Sequence, residues 1–171
     1  MRQVKLYIAC SLDGYIARPN GDLDWLIHDT TDYGYNEFYD TIDTTISGYN
    51  TYEITKSFPE FPYTGKENIV FTKRHINEKH PHIKFIDTDV VRFVKELKSK
   101  PGKDIWLVGG GDMIRTFNQN DLIDEHIIFR TSSIIGEGIP LFLPIKKDIN
   151  LNLIESKSYP SGMTKSVYVK K

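Results

Sequence analysis

The chain has 171 residues, 39% of them hydrophobic and 26% charged, which is the composition of a globular domain long enough to bury a full core. A net charge of −1 gives no electrostatic grip on nucleic acid or an anionic membrane, and the lone Cys10 allows neither an internal disulfide nor a thiolate zinc site. No apolar run approaches the ~20 residues of a bilayer span, and the opening VKLYIAC has the wrong length and flanks for a signal peptide. The expectation is therefore one cytoplasmic domain over residues 1–171.

Val4–Cys10 reads as a strand, apolar enough for a central place in a sheet. Residues 11–26 carry turn formers at Asp13-Gly14 and Pro19-Asn20-Gly21 with a cluster of acids, and predict a long functional loop. Thr30 or Thr31 is placed to cap a helix through Tyr35, Phe38, Tyr39 and Ile42. Thr44–Ser47 reads as a short strand ending at Gly48, with a second helix starting near Asn50. Residues 57–65 form a proline-interrupted surface connection. Asn68–Thr72 and Ile83–Ile86 are short strands, and the polar stretch 73–82 between them reads as loop. Thr88 or Asp89 caps a helix through Val91, Val94 and Leu97 that stops before Pro101-Gly102.

Ile105–Val108 is a continuous apolar run, the pattern of a strand buried on both faces. Gly109, Gly110 and Gly111 follow, then Met113, Ile114 and Phe117 on a helical period. Strand, glycines, helix is a geometry in which backbone can approach a phosphate without obstruction by Cβ atoms. It is equally a plain tight turn with Asp112 as N-cap, and Asp112 could also repel an anion. Glu125–Arg130 is a further strand, and the turn-rich 132–144 leads to a hairpin of Leu151–Ser158 and Thr164–Val169. The alternation predicts an α/β domain whose largely parallel sheet ends in an antiparallel hairpin.

In such a sheet ligands gather outside the carboxyl ends of the strands, and four of those ends carry suitable residues. They are Ala9 with the acid-rich loop, Gly48 with Asn50 and Thr51, Thr72 with Lys73 and Arg74, and the glycine run. His75, His80 and His82 share a charged loop without ligand-spaced acids, so no metal is expected. Cys10 reads as a small buried residue closing its strand.

Taken together, SLDGYIA…GDLDW, GYNTYE, NIVFTKR, WLVGGG and IIGEGIPLF resemble the dihydrofolate reductase fold. The resemblance is to the bacterial branch related to the reductase domain of riboflavin biosynthesis (RibD C-terminal). It spans nearly the whole chain and implies a three-layer fold: a mixed, mostly parallel sheet with helices on both faces and a C-terminal antiparallel hairpin. It further implies an enzyme, an NAD(P)H-dependent reductase passing a hydride to a pterin-like or ribosylamino-pyrimidine substrate, and a homodimer. Ala9 and Ile16 would offer backbone groups to the nicotinamide carboxamide. Gly48, Asn50 and Thr51 would hold the pyrophosphate, Thr72, Lys73 and Arg74 the ribose 2′-phosphate, and Gly109, Gly110 and Gly111 would let the cofactor lie on bare backbone beside Asp112, Met113 and Ile114. Asp22, Leu23, Asp24 and Trp25 would form the mobile loop covering nicotinamide and substrate. Tyr33, Tyr35, Phe38 and Tyr39 read from the residues themselves as core or substrate-pocket wall, and Tyr35 is carried as a substrate-binding candidate.

Two positions depart from the pattern. Tyr49 stands where the family often has an arginine that grips the 2′-phosphate, so NADPH preference would rest on Lys73 and Arg74, and NADH is an open alternative. The substrate-orienting acid falls nearest Asp32, without a surrounding motif; Asp13, Asp22 and Asp24 are the other choices, and Asp24 is carried with Asp32 as a catalytic candidate. The zinc deaminase signature is absent, which excludes a bifunctional deaminase-reductase for this chain. A true dihydrofolate reductase, a non-catalytic nucleotide binder that kept the groove, and a flavodoxin-like phosphate binder are the remaining readings.

Overall fold

The computed structural model describes residues 1–77 and 80–171. In chain order the elements are β1 (Val4–Cys10), β2 (Tyr15–Ala17), α1 (Tyr35–Thr41), β3 (Ile42–Gly48), α2 (Tyr49–Thr55), β4 (Glu67–Phe71) and β5 (Ile83–Ile86). Then come α3 (Val90–Ser99), β6 (Asp104–Gly109), α4 (Gly111–Gln119), β7 (Glu125–Arg130), β8 (Ile139–Pro140), β9 (Leu151–Ser158) and β10 (Thr164–Lys170). Eight strands form one sheet in the order β5-β4-β3-β6-β1-β7-β10-β9. The first six run parallel, and β10 and β9 add the antiparallel edge.

The parallel strands are continuous apolar runs because both of their faces are covered. One face packs Leu6, Ile46, Ile69, Ile105 and Leu107 against Val94 and Leu97 of α3 and Ile114 and Phe117 of α4. The other face is aromatic: Tyr7, Trp106 and Phe129 pack with Phe38 and Tyr35 of α1, and Tyr52 of α2 sits on Val70. At roughly 25 cal/mol per Å² of apolar area, these two layers are the main stabilising contribution.

Several local expectations are corrected. Neither Thr30 nor Thr31 caps α1; its N-cap is Gly34 at φ 84°, and Asp32 supplies the oxygens, its carbonyl accepting from Tyr35 N (2.9 Å) and its Oδ1 from Asn36 N (3.1 Å). Ile42 lies in β3, since α1 stops at Thr41, whose hydroxyl donates to the Phe38 carbonyl. Asp112 is not a cap either: Gly110 holds that place without a side chain, and Asp112 sits in the first turn of α4, bonded to Arg115 at 2.6 Å. Asp89 does cap α3, accepting from Arg92 N at 2.7 Å. The loop over 11–26 contains β2, which pairs with β8 in a small antiparallel sheet too short to show a period in the sequence. Within the loop expected over 73–82, residues 78 and 79 lie outside the described residues.

Candidate active site

Because β1, β3, β4, β6 and β7 are parallel, their carboxyl ends share one edge of the sheet. Gly48 at the end of β3 is in register with Phe71 of β4, and Ser47 with Gly109 of β6. Strand β1 pairs with β6 only over Val4–Leu6, although it follows β7 as far as Cys10. Beyond Leu6 the β1–β6 ladder ends: the Tyr7 carbonyl accepts from Trp106 Nε1 at 3.0 Å instead, and Ala9 and Gly109 have no register partner across this seam. Buried backbone groups without partners are rare, and such a gap is a place for a ligand's amide to complete the pairing. Ile16 falls in the irregularity between the paired Tyr15 and Ala17 and has no register partner in β8.

Three elements meet at this edge through positions where even a methyl group would be tight. A Cβ on Gly110 would lie 3.1 Å from Thr51 Oγ1 of α2, and one on Gly48 would lie 3.2 Å from Met113 Cγ of α4. Gly109 takes φ +138°, a region L side chains rarely adopt. Asn50 is exposed beside Thr51, and α4 begins with its first amides at Gly111. Ile114 is fully buried in the core, so its side chain is out of reach of a ligand at this edge.

Thr72, Lys73 and Arg74 follow β4. Lys73 lines a cavity of about 610 Å³ with Phe71, Ile86, Asp87, Val90, Asp112 and Arg115. Arg74 turns elsewhere: its guanidinium sits 4.5 Å from the centroid of the Tyr49 ring. Arg115 was not singled out from the sequence, where it is one more polar residue on an amphipathic helix.

A second cavity lies on the aromatic face. Tyr7 and Ala9 alternate along β1 and so face the same way, toward α1. Tyr7 stacks on Phe38 at 4.2 Å and lines a cavity of about 390 Å³ between α1 and the β9–β10 hairpin, with Tyr33, Ile127, Tyr159 and Lys165 among its other walls. Burial, then the neighbouring Asp32 carboxylate, pushes the Tyr7 phenol well above its ordinary range, so it stays a neutral hydrogen-bond donor. The Tyr35 ring, 6.1 Å from Tyr7, has its hydroxyl pushed up to about 12 by burial. The alternation of Lys5, Tyr7 and Ala9 was the sequence signal for this wall, masked by the apolar density of the strand.

The acids separate by their partners. Asp24 is engaged by Arg18 through Nε at 2.6 Å and Nη2 at 3.0 Å, and that pairing holds its carboxyl below the usual range. It is therefore ionised and unsuited to deliver a proton as it stands. Asp22 accepts from Asn20 Nδ2 at 2.7 Å. Asp13 accepts from Ser11 Oγ (2.6 Å), Gly136 N (2.8 Å) and Ile135 N (3.2 Å), which ties the first loop to the segment before β8. Asp32 is exposed at the start of α1. Trp25 is 7% exposed, and its Nε1–H has no partner in the described structure. Cys10 is buried, and burial pushes its thiol up.

A sequence model of the RibD C-terminal domain matches residues 61–165. The chain belongs to that family. It is 40% identical over 161 residues to the uncharacterized protein YwjB of Bacillus subtilis (strain 168), covering 92% of each chain. It is 35% identical to the uncharacterized protein YyaP of the same strain, over 98% of this chain and 94% of the relative. Among solved structures, a putative riboflavin biosynthesis protein from Shewanella sp. PV-4 superposes with TM-score 0.89 at 28% identity, covering 99% of both chains. The deaminase/5-amino-6-(5-phosphoribosylamino)uracil reductase of Thermotoga maritima gives 0.77 at 17% identity over 99% of this chain and 57% of that one. The dihydrofolate reductase of Enterococcus faecalis, complexed with NADP(H), gives 0.74 at 16% identity over 99% and 96%. These last two establish the dihydrofolate reductase-like fold. In this RibD C-terminal domain no described helix is long and apolar enough to cross a membrane.

Proposed function

We propose that this chain is an NAD(P)H-dependent reductase that passes a hydride to a small heterocycle, pterin-like or a ribosylamino-pyrimidine. The observation that carries the reading is the end of the β1–β6 ladder at Leu6 beside a glycine-lined edge: an open strand seam and Cβ-free surface occur at one place. The dinucleotide supplies the hydride when bound. Backbone groups of Ala9 and Ile16 orient its carboxamide, while Gly48, Thr51 and Gly109–Gly111 admit its pyrophosphate. Trp25 and Tyr35 exclude water from the substrate, Tyr7 offers it a neutral donor, and the Asp32 carboxylate orients it while a water beside it delivers the proton to the reduced atom.

The test is titration with NADPH and NADH, watching nicotinamide fluorescence, followed by a turnover panel of pterins, dihydrofolate and ribosylamino-pyrimidines. Micromolar binding and steady cofactor oxidation with one compound are expected. Binding of neither dinucleotide at millimolar concentration would end the proposal. A second reading, a nucleotide binder without catalysis, is favoured by the commitment of Asp24 to Arg18; tight binding with no turnover across the panel would select it. The homodimer implied by the resemblance is kept as part of the proposal, supported by the edge strand β9, whose outer side has no sheet neighbour among the described residues. Sedimentation showing a monomer at micromolar concentration would remove it.

A further inference from the structure

We propose that Arg115 of α4, and not Arg74, joins Lys73 in reading the 2′-phosphate that distinguishes NADPH from NADH. The inference rests on the cofactor reading above and deepens it by naming the residue that sets selectivity.

Lys73 and Arg74 are neighbours in sequence, but they leave the end of β4 in different directions. Lys73 lines the 610 Å³ cavity on the α4 side of the sheet. Arg74 lies against the Tyr49 ring at the start of α2, 4.5 Å from its centroid, and its charge acts on Glu53 of that helix. The cation inside the cavity with Lys73 is Arg115. Its side chain folds back toward the first turn of α4, where Nη2 bonds Asp112 Oδ1 at 2.6 Å. A guanidinium has five N–H donors in a planar fork, so most of its donors remain for a second acceptor. At 43% side-chain exposure it is positioned but not spent.

The chemistry then separates the two dinucleotides. A phosphate monoester carries between one and two negative charges at neutral pH and offers several acceptor oxygens, while NADH presents a neutral hydroxyl there. Lys73 and Arg115 favour the former. Two carboxylates line the same cavity, however: Asp112, already paired with Arg115, and Asp87 after β5. Two cations set against two anions give a modest preference, about tenfold for NADPH, in place of the much larger ratio an all-cationic site would impose.

Dissociation constants of NADPH and NADH, read from nicotinamide fluorescence, test this on the wild type, Lys73→Ala, Arg74→Ala, Arg115→Ala and Asp112→Asn, with circular dichroism as the control for folding. Arg115→Ala should weaken NADPH about tenfold and leave NADH within about twofold, because the lost charge-assisted hydrogen bonds exist only with the phosphate. Lys73→Ala should act the same way. Arg74→Ala should leave the NADPH-to-NADH ratio unchanged. Asp112→Asn should tighten NADPH by severalfold, since it frees the guanidinium and removes a repelling charge. If the wild type binds both dinucleotides and Arg115→Ala leaves their ratio unchanged, the assignment is overturned and the reductase reading stands. If the wild type binds neither, both fall together.

Discussion

Gly110 shows how much one missing methyl group decides at the proposed cofactor edge. Its added Cβ would sit 3.1 Å from Thr51 Oγ1, a hydroxyl that can give way by a few tenths of an ångström. Gly110→Ala should therefore lower stability by only about 1 kcal/mol, measured by urea denaturation. Binding should suffer more, at least about tenfold for NADPH, because the methyl projects toward the surface the pyrophosphate must approach. Unchanged affinity would move the dinucleotide off this edge. His126 acts on the fold instead. It is 3% exposed, with Nε2 at 3.0 Å from Asn118 Oδ1, an acceptor only, so the ring carries its proton on Nε2. Burial, then Lys170, depresses its pKa to about 4. The unfolded chain takes up this proton near pH 6.5 and the folded chain does not, so stability falls as pH drops from about 6.5 toward 4. The loss amounts to about 3 kcal/mol at most by that linkage. His126→Gln should flatten the pH dependence of the urea midpoint in that window; an unchanged slope would mean the exposed carboxylates account for it.

At the scale of elements, the small β2–β8 sheet anchors the first loop over the proposed substrate side. Gly138 is the tight point: a Cβ there would lie 2.3 Å from the Ala17 carbonyl oxygen, which is backbone and cannot step aside alone. Gly138→Ala should cost about 2–4 kcal/mol and raise proteolytic cutting within 11–25, followed by mass spectrometry. A variant as stable and as resistant as the wild type would show that the pair is not an anchor. Helix α3 gives a milder test. Asp89→Ala removes the bond to Arg92 N and should cost about 1 kcal/mol by denaturation, and a loss below about 0.3 kcal/mol would mean water replaces the cap fully.

For the whole molecule, the consequence of six parallel strands is that residues far apart in sequence finish on one edge. A ligand that touches several of those ends is a ligand of the native state alone, so it stabilises by mass action. NADPH at a hundred times its dissociation constant should add about 2.7 kcal/mol, which for a chain of this size raises Tm by roughly 5–10 °C. The same concentration should give about half that shift with Gly110→Ala, if its affinity is about tenfold weaker. Equal shifts in the two proteins would place the dinucleotide elsewhere.

Sequence alone was enough for the architecture. Apolar runs such as Ile105–Val108, turn residues such as Pro101-Gly102, and the final hairpin each act over a few residues, and their order along the chain dictates a largely parallel sheet. The strands β5, β7 and β9 fall where their periodicity places them. The partners of polar side chains were a different matter, because they depend on which elements meet. Only the tertiary structure separates Lys73 from Arg74, brings Arg115 across to Lys73, commits Asp24 to Arg18, and ends the β1–β6 ladder at Leu6. The physical reason is range. Backbone propensity and hydrophobic periodicity are written locally, whereas a charge finds its partner through space, and the distance that decides it is set by packing elsewhere in the molecule.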